Sequence, residues 1–229
     1  MADSVRRLFA EVPGRYELVN CVITFCRDRR WRKYTAERAA AAGGEQWIDV
    51  CTGTGDMVHN LLRLAPEGVR LYASDFCAPM LHKARMKPGG SDIRFVEADT
   101  RCLPFPDDSF DLVTISFATR NINTTRENLR ANLQECLRIL KPGGRFFHLE
   151  TTQPVSPVVR FFFHIYVKTY VRLVGGLLSS PPAYRYLAYT IPRFYPAEKF
   201  SDILVEVGFS QVRFERLFPG VAAIHEATK

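Results

Sequence analysis

The sequence lacks the signals of an exported or repetitive protein. Asp3 and Glu11 interrupt its first residues, and no continuous apolar segment follows them, so its start is not typical of a secretory leader. Internal repeats and low-complexity segments are absent as well. With 229 residues, 47% of them apolar, the chain is long enough for one large α/β domain. We predict a cytoplasmic protein, with peripheral attachment at the inner face of the cell membrane as an alternative.

Metal-binding and redox motifs are also missing. The six cysteines form no C-x-x-C pair and have no zinc-like spacing to a histidine. Most of them lie among apolar residues, where a thiol behaves as a small buried hydrophobic side chain. This pattern suits a reducing cytosol, and no metal site is predicted.

No recognisable nucleic-acid module is present, although the net charge is +7. The basic excess is concentrated in one N-terminal stretch that contains a single acid, Asp28. Its basic members are Arg27, Arg29, Arg30, Arg32 and Lys33. Such a cluster forms a solvated helix face or contacts an anionic surface or an acidic partner, and without a module it is a weak nucleic-acid signal. We predict no nucleic-acid partner.

The chain does have a regular alternation of strand and helix patterns. An N-terminal helical region ends at Gly43-Gly44, and apolar segments predict strands at 46–50, 69–74, 93–97, 110–116 and 145–150. Helices are predicted at 56–65, 77–86 and 126–139, and a tight turn at 141–144. Two further strands, 210–217 and 221–227, flank a turn at 218–220. We predict an α/β fold with a mostly parallel seven-stranded sheet, a C-terminal antiparallel hairpin and helices on both faces.

The most informative segment is the run Ile48-Asp49-Val50-Cys51-Thr52-Gly53-Thr54-Gly55-Asp56. It is typical of a buried strand that ends in a glycine-rich turn and opens a helix, and Asp75 ends the next apolar stretch. This layout forms a nucleotide-sized pocket at the carboxyl edge of a parallel sheet, where the second acid accepts ribose hydroxyls.

Two classes of nucleotide ligand use this geometry. A dinucleotide site needs a third glycine, but that position is Val58, and the carboxylate of Asp56 would repel a pyrophosphate. S-adenosylmethionine carries a sulfonium, an ammonium and a ribose but no phosphate. The acids Asp49, Asp56 and Asp75 therefore favour S-adenosylmethionine.

A long insertion separates the fifth strand from the final hairpin, and its length indicates a functional segment. In the predicted helix 158–174 a polar stripe recurs every four residues, and the remaining surface is aliphatic and aromatic. The stripe consists of Arg160, His164, Lys168 and Arg172. Its charges and length argue against a membrane span. The helix is predicted to lie on a membrane interface or to cover a pocket for an apolar substrate, with an ordinary core-facing helix as the alternative.

Over nearly its whole length the chain resembles the UbiE/MenG/Coq5 family of quinone-biosynthesis C-methyltransferases. The motifs that carry the resemblance are Tyr16 with Asn20, the run 28–32, the glycine turn 49–56, Ser74-Asp75-Phe76, Ala98-Asp99, the run 103–111, Ser116-Phe117-Ala118-Thr119-Arg120-Asn121, the run 140–144, Leu149-Glu150 and Ala223-Ile224-His225. The combination of Tyr16 and Asn20 with Arg120-Asn121 and His225 is narrower than the glycine turn, which occurs in many methyltransferases.

The resemblance implies a class I, Rossmann-like methyltransferase that moves a methyl group from S-adenosylmethionine to a ring carbon of a prenylated quinol. The implied donor-binding residues are Asp49, Thr52, Gly53, Gly55, Asp75, Phe76, Met80, Asp99, Thr100 and Ser116. Asp75 is expected at the ribose, Asp99 with Thr100 at the adenine amine, and Met80 on the adenine face or in a helix core. Asp49 is expected to brace the glycine turn or to contact the donor ammonium.

The implied catalytic residues are Arg120, Tyr16 and Asn121. A guanidinium keeps its proton, so Arg120 is expected to favour the phenolate form of the substrate rather than to act as a base. A salt bridge that pins the loop after the fourth strand is the alternative role for Arg120. His148 is expected in the core rather than in the pocket, and His164 on the exposed polar stripe.

Some positions depart from the family pattern, namely Glu17, Thr100-Arg101, Ala118-Thr119 and Thr151. They neighbour the expected substrate side and leave open whether the acceptor is a benzoquinol or a naphthoquinol. Two other functions stay open at this point. One is a relative that uses the donor on another apolar acceptor or for non-methyl chemistry, and the other is a non-catalytic scaffold subunit of a quinone-biosynthesis complex.

The expected organisation is a single methyltransferase domain over residues 1–229. It includes an N-terminal helical cap at 1–44 and a helical lid or substrate insertion at 152–195. The expected partners are the quinol substrate and a membrane surface contacted through the 158–174 helix, with a homodimer as a further possibility.

Overall fold

A seven-stranded sheet organises the protein, and a computed structural model describes residues 16–123 and 125–229. The strands are β1 (Gln46–Val50), β2 (Arg70–Asp75), β3 (Ile93–Glu97), β4 (Phe110–Ser116), β5 (Leu140–Thr151), β6 (Ser210–Leu217) and β7 (Ala222–Thr228). Their order in the sheet is β3-β2-β1-β4-β5-β7-β6. The first five strands pair in parallel, and β7 pairs antiparallel with both β5 and β6. The predicted parallel sheet with a C-terminal hairpin is confirmed.

The start of β5 differs from the prediction. The segment 141–144 lies inside the strand as an irregularity, because Phe110 pairs with Leu140 while Leu112 pairs with Arg145. Gly143 has a φ of 77°, which lets the backbone bend there without leaving the sheet. The backbone N–H of Lys229 donates to the Gly144 carbonyl at 3.1 Å. The backbone of Lys229 is thus bonded to a segment that the sequence pattern predicts to be a tight turn.

Ten α-helices lie in the part of the chain that the structure describes. They are α1 (Tyr16–Thr24), α2 (Arg27–Ala40), α3 (Asp56–Leu64), α4 (Ala78–Arg85), α5 (Thr119–Ile122), α6 (Arg126–Ile139), α7 (Pro157–Tyr166), α8 (Arg172–Leu178), α9 (Pro181–Thr190) and α10 (Ala197–Val207). Helix α6 begins at a capping residue, since the Thr125 hydroxyl accepts from the Asn128 N–H at 3.1 Å. Helix α7 combines a Ser156 cap with Pro157 in its first turn.

Alternation along β1 divides the core between the two faces of the sheet. Trp47 packs in one cluster with residues of α2 and α3, whereas Ile48 packs in the other with residues of α6 and α10. Both faces are therefore covered by helices, as predicted. A third cluster joins α1, α4 and the insertion helices through Val19, Met80 and Leu187.

The amphipathic helix of the insertion is interrupted. Helix α7 passes into a π-helical turn at Val167–Val171 before α8 continues. Val167 and Val171 are buried in the third cluster, so this face belongs to the core. The opposite face is exposed and apolar, with side-chain exposures of 61% at Phe161 and 63% at Phe162.

His164 does not lie on an exposed stripe. Its ring is half-buried, and Nε2 is 2.8 Å from the Gln153 Oε1 atom. The other members of the stripe, Arg160, Lys168 and Arg172, are exposed. The four-residue spacing places His164 on the polar stripe but does not predict this contact. Gln153 lies before the helix, and only the fold brings its side chain to the imidazole.

The cysteine prediction is partly wrong. Cys77 and Cys136 are buried thiols, as expected, but Cys102 is exposed and Cys21 is joined to Cys26 by a disulfide. Cys26 has a left-handed backbone with a φ of 55° at the turn between α1 and α2. This turn brings the two Cα atoms to 4.0 Å. Spacing along the sequence does not reveal such a reversal of the chain.

Candidate active site at the carboxyl edge of the sheet

The glycine turn between β1 and α3 has one open and one closely packed glycine. Gly53 has a φ of 56°, and a Cβ at this position would meet no atom within 4 Å. Its backbone therefore borders open space where a ligand can approach closely. At Gly55 a Cβ would lie 2.8 Å from the Cβ of Ala84 in α4. Gly55 is thus required for the packing of α4 on the turn, while donor contact at either glycine stays a prediction.

Asp75 is held at the end of β2 beside this turn. Its Oδ2 atom accepts the N–H of Gly53 at 2.8 Å, and Oδ1 accepts the N–H of Cys77 at 2.9 Å. Burial raises the pKa of Asp75, although these backbone N–H groups act in the opposite direction. The Phe76 N–H is a third backbone donor to this carboxylate. A carboxylate has about four acceptor positions, so the geometry still suits the predicted acceptance of a ribose hydroxyl.

Asp49 is fully buried at the end of β1 and braces the turn. The Thr52 hydroxyl donates to Oδ2 at 2.6 Å, and the Thr114 hydroxyl from β4 donates to Oδ1 at 2.7 Å. Burial raises the pKa of Asp49 to about 7, and these hydroxyls and the charge of Arg32 offset only part of that rise. These hydrogen bonds correspond to the bracing alternative for Asp49, while a contact with the donor ammonium stays a prediction. Thr114 is a partner that sequence reasoning missed.

Asp56, the first residue of α3, is neutralised from within the protein. The Lys87 ammonium lies 2.5 Å from Asp56 and 3.0 Å from Glu17 of α1. Burial alone would raise the pKa of Asp56, but the positive charges of Arg32 and Lys87 outweigh it and lower the pKa. The charge of Asp56 is therefore balanced inside the protein, so Asp56 contributes less to a preference for a cationic ligand than the sequence pattern indicates.

The residues predicted around the adenine differ in their surroundings. The Thr100 hydroxyl is buried and lies 2.9 Å from the Cys51 Sγ atom, so Thr100 contacts the glycine turn. Asp99 is exposed and ion-paired with Arg101 at 2.6 Å, which lowers the Asp99 pKa chiefly through the hydrogen bond from Arg101. Asp99 must give up part of this pairing to reach an adenine amine.

Phe76, Met80 and Ser116 complete the predicted donor set. Met80 is buried in the third cluster, which corresponds to the helix-core alternative. Phe76 is half-buried against the same cluster, and Ser116 is half-buried at the end of β4. Contacts of these three residues with the donor stay predictions.

Arg120 and Glu150 form a buried ion pair at the same edge of the sheet. Arg120 lies on α5 just beyond β4, and its Nη1 atom is 2.6 Å from Glu150 Oε1 near the end of β5. The Arg120 backbone N–H donates to Glu150 Oε2 at 3.2 Å. The salt bridge weighed as an alternative is therefore present. It fixes the guanidinium in place without using all of its donors.

Two polar atoms beside this pair have no protein partner among the described residues, Arg120 Nε and Asn121 Oδ1, and both are buried. Unpaired buried polar atoms are costly unless a ligand or water satisfies them. The side chain of Tyr16, the third predicted catalytic residue, lies outside the described residues.

Tyr186 lies near the Arg120–Glu150 pair, a placement that sequence reasoning missed. It lies on α9 in the insertion and is half-buried. Burial raises the pKa of its phenol, while the charges of Arg120 and Glu150 act on it in opposite directions. The aromatic insertion gave no signal for this residue, because only the tertiary fold brings α9 close to the end of β4.

His148 and His225 belong to the core. The His148 ring stacks on Phe200 at 4.2 Å between centroids, and its Nε2 atom is 2.8 Å from the Thr119 hydroxyl. Burial lowers the pKa of His148 well below its usual range, and burial lowers that of His225 to about 4. The expectation of a core histidine at 148 is confirmed.

The family model of the ubiE/COQ5 methyltransferase family matches residues 1–229. The chain belongs to this family. It is 38% identical over 221 residues to a demethylmenaquinone methyltransferase of Thermus thermophilus, covering 95% of this chain and 98% of the relative. It is 32% identical to the ubiquinone/menaquinone biosynthesis C-methyltransferase UbiE of Desulfotalea psychrophila, covering 98% and 90%.

Solved structures place this ubiE/COQ5 family member in the class I methyltransferase fold. A SAM-dependent methyltransferase of Thermotoga maritima aligns with a TM-score of 0.67 at 15% identity, covering 98% of this chain and 99% of that one. Human N-acetylserotonin methyltransferase in complex with SAM aligns with a TM-score of 0.59 at 16% identity, covering 85% and 51%. The predicted fold class is confirmed, and family membership implies S-adenosylmethionine as the methyl donor.

Within 16–123 and 125–229, no group of three His, Cys, Asp or Glu side chains is arranged to hold a metal ion. Across the same ranges, no helix combines the length and the apolar character needed to cross a bilayer.

Proposed function

We propose that this protein transfers the methyl group of S-adenosylmethionine to a ring carbon of a prenylated quinol in menaquinone or ubiquinone biosynthesis. The observation that carries the proposal is the buried Arg120–Glu150 pair, which shares the carboxyl edge of the sheet with Asp49 and Asp75. The names of the relatives, which describe demethylmenaquinone and quinone C-methylation, support the choice of acceptor.

The chemistry requires an activated acceptor carbon rather than an activated donor. The sulfonium supplies an electrophilic methyl group. A new bond forms between the methyl and the ring carbon, the bond from methyl to sulfur breaks, and the ring carbon loses its proton to water. Deprotonation of the neighbouring ring hydroxyl moves electron density onto the carbon. The Arg120 guanidinium keeps its own proton and favours the phenolate electrostatically.

Glu150 positions Arg120 and does not serve as the base. Its Oε1 atom accepts from Arg120 Nη1, from the Thr151 N–H and from the Thr151 hydroxyl, and Oε2 accepts from the Arg120 N–H. These donors engage both carboxylate oxygens and hold Glu150 against Arg120. Arg120 Nε and Asn121 Oδ1 remain available for the ring oxygen or a water, with Tyr186 beside them.

The insertion provides the apolar side of the proposed acceptor site and the contact with the membrane. Phe161 and Phe162 of α7 are exposed together with neighbouring apolar residues of the insertion, and basic residues flank this surface. The apolar members are Val155, Val158, Val159, Phe161, Phe162, Ile165, Leu173 and Leu177, here called the apolar patch. Arg160, Lys168 and Arg172 suit anionic lipid headgroups. We propose peripheral attachment here, where prenylated quinols reside.

The deciding experiment measures the mass of the product. The protein is incubated with S-adenosylmethionine and with reduced demethylated benzoquinols and naphthoquinols, and each acceptor is analysed by mass spectrometry. We expect one added methyl group on one acceptor class. Arg120→Ala should abolish the gain, whereas Arg126→Ala, which removes a surface arginine paired with Glu206, should retain it. An unmodified acceptor despite tight donor binding would overturn the proposed acceptor.

A further inference from the structure

Arg32 is a buried cation that the catalytic proposal does not use. It lies on α2 with an exposed fraction of 5%, and its Nη1 atom is 2.9 Å from Asp28 Oδ2. The Thr24 hydroxyl donates to the other Asp28 oxygen at 2.7 Å. The pair is therefore held from both sides, in contrast to the exposed Arg29 and Arg30 on the same helix.

The guanidinium of Arg32 lies at the donor side of the sheet edge. Its central carbon is 4.9 Å from the centroid of Phe117, the residue that follows β4. Its positive charge acts on Asp49 and Asp56, which lie at the two ends of the glycine turn. On Asp56 it acts more strongly than the charge of Lys87, although the Lys87 ammonium touches that carboxylate.

The amino-acid end of S-adenosylmethionine is a zwitterion, so its site needs an acid for the ammonium and a cation for the carboxylate. Lys87 is already bound to Asp56 and Glu17. Asp28 engages Nη1 of Arg32, and a guanidinium has five N–H donors in a fork that matches a carboxylate.

We infer that Arg32, held by Asp28, binds the carboxylate of the amino-acid end of the methyl donor. This inference rests on the proposed function, because it assumes that the donor occupies the glycine turn. It gives a role to an arginine in the basic N-terminal stretch that sequence patterns treat as part of a surface. It also predicts that α2 contributes a side chain to the donor site near the end of β1.

The test compares two donors that differ only at this group. Decarboxylated S-adenosylmethionine keeps the sulfonium and the ammonium but lacks the carboxylate. The affinities of both compounds are measured by calorimetry for the unaltered protein, for Arg32→Gln and for Arg30→Gln as the exposed control. A charge-assisted contact of this kind corresponds to roughly a 10- to 100-fold preference for the complete donor.

We expect Arg32→Gln to remove this preference and Arg30→Gln to retain it. Because Asp28 would lose its partner, the double variant Asp28→Asn/Arg32→Gln provides a second measurement without an unpaired buried charge. An unchanged preference in these variants, or an equal loss of affinity for both compounds, overturns the inference. Absence of binding of either compound to the unaltered protein would instead contradict the proposed donor.

Discussion

At the residue scale, the site depends on charges that are buried in pairs. Arg120 with Glu150 and Arg32 with Asp28 are almost fully removed from solvent, and each pair has further hydrogen bonds. A buried pair adds little net stability, because desolvation offsets the attraction, but removal of one partner is costly. Such pairs are therefore better explained by the need to fix a guanidinium at one point than by stability.

Replacement of Glu150 by glutamine should destabilise the folded protein. The variant leaves Arg120 as an uncompensated buried charge, and we expect the free energy of unfolding to fall by about 3–5 kcal/mol. Denaturant unfolding measures this loss. Glu206→Gln is the matched control, because Glu206 pairs with Arg126 on the surface, and it should leave stability nearly unchanged. Equal stability of the two variants would contradict the structural role of Glu150.

Asp49 should make stability depend on pH. Its pKa is raised from 3.8 to about 7 in the fold, so the native state binds a proton that the unfolded state has released between these values. The contribution of Asp49 to the free energy of unfolding is fully present below about pH 4, decreases as pH rises to about 7 and stays constant above that. Asp49→Asn should remove this dependence and gain up to about 4 kcal/mol relative to the parent across this range.

The measurement for Asp49 is the unfolding free energy of both proteins from pH 4 to 8. Asp202→Asn, which changes an exposed aspartate on α10, is the control and should follow the parent at every pH. Parallel profiles for Asp49→Asn and the parent would show that the buried carboxyl does not titrate in this range.

At the element scale, the sequence predicts the sheet better than the insertion. Strands β1 and β4 begin and end where their apolar patterns do, because continuous apolar segments can only be buried between two helical layers. The partly exposed edge strands β3 and β6 also have the predicted bounds. The π-helical turn at Val167–Val171 and the separate helix α9 depend on packing against α1 and α4. Local patterns do not contain that information, so Tyr186 could not be assigned to the site.

The basic N-terminal stretch shows the same limit. Five basic residues with one acid are typical of a solvated face, and Arg29, Arg30 and Lys33 do lie on one. Asp28 and Arg32 are four residues apart and so share the helix face that turns towards the glycine turn. The number of charges identifies the basic cluster. Which face of α2 is buried, however, follows only from the packing of α2 against α3.

Helix α7 should attach the protein to membranes through its exposed phenylalanines. Phe161→Ser/Phe162→Ser removes apolar area from the apolar patch while leaving Phe163, which packs against the third cluster. We expect sedimentation with vesicles that contain anionic lipid to fall several-fold, because partition depends on buried apolar area. Donor affinity should be unchanged.

The control for the apolar patch is Met86→Ser. Met86 is 73% exposed but follows α4 and is not a member of the patch, so vesicle binding should persist. If the double phenylalanine variant sediments with vesicles like the parent, α7 is not the attachment site. Addition of salt should weaken binding in the parent, because Arg160, Lys168 and Arg172 contribute through charge.

At the scale of the whole molecule, the ends of the parallel strands and the insertion meet at one edge of the sheet. The carboxyl ends of β1, β2, β4 and β5 present the acids and Arg120, and the insertion adds Tyr186. Helix α1 joins the insertion, since the Tyr166 hydroxyl donates to the Ile23 carbonyl. Helix α1 and the insertion, neither of which contributes a strand to the sheet, are therefore in contact with each other.

This arrangement predicts which nucleotide stabilises the complete protein. A ligand at 100 times its dissociation constant adds about 2.7 kcal/mol, which for a chain of this size raises Tm by roughly 5–10 °C. We expect such a rise with S-adenosylmethionine and with its demethylated product S-adenosylhomocysteine, measured by thermal unfolding. NADH should give none, because the turn has Val58 at the third glycine position and Asp56 at the start of α3. A rise with NADH alone would favour a dehydrogenase site, and no rise with any of the three would favour a scaffold without a donor site.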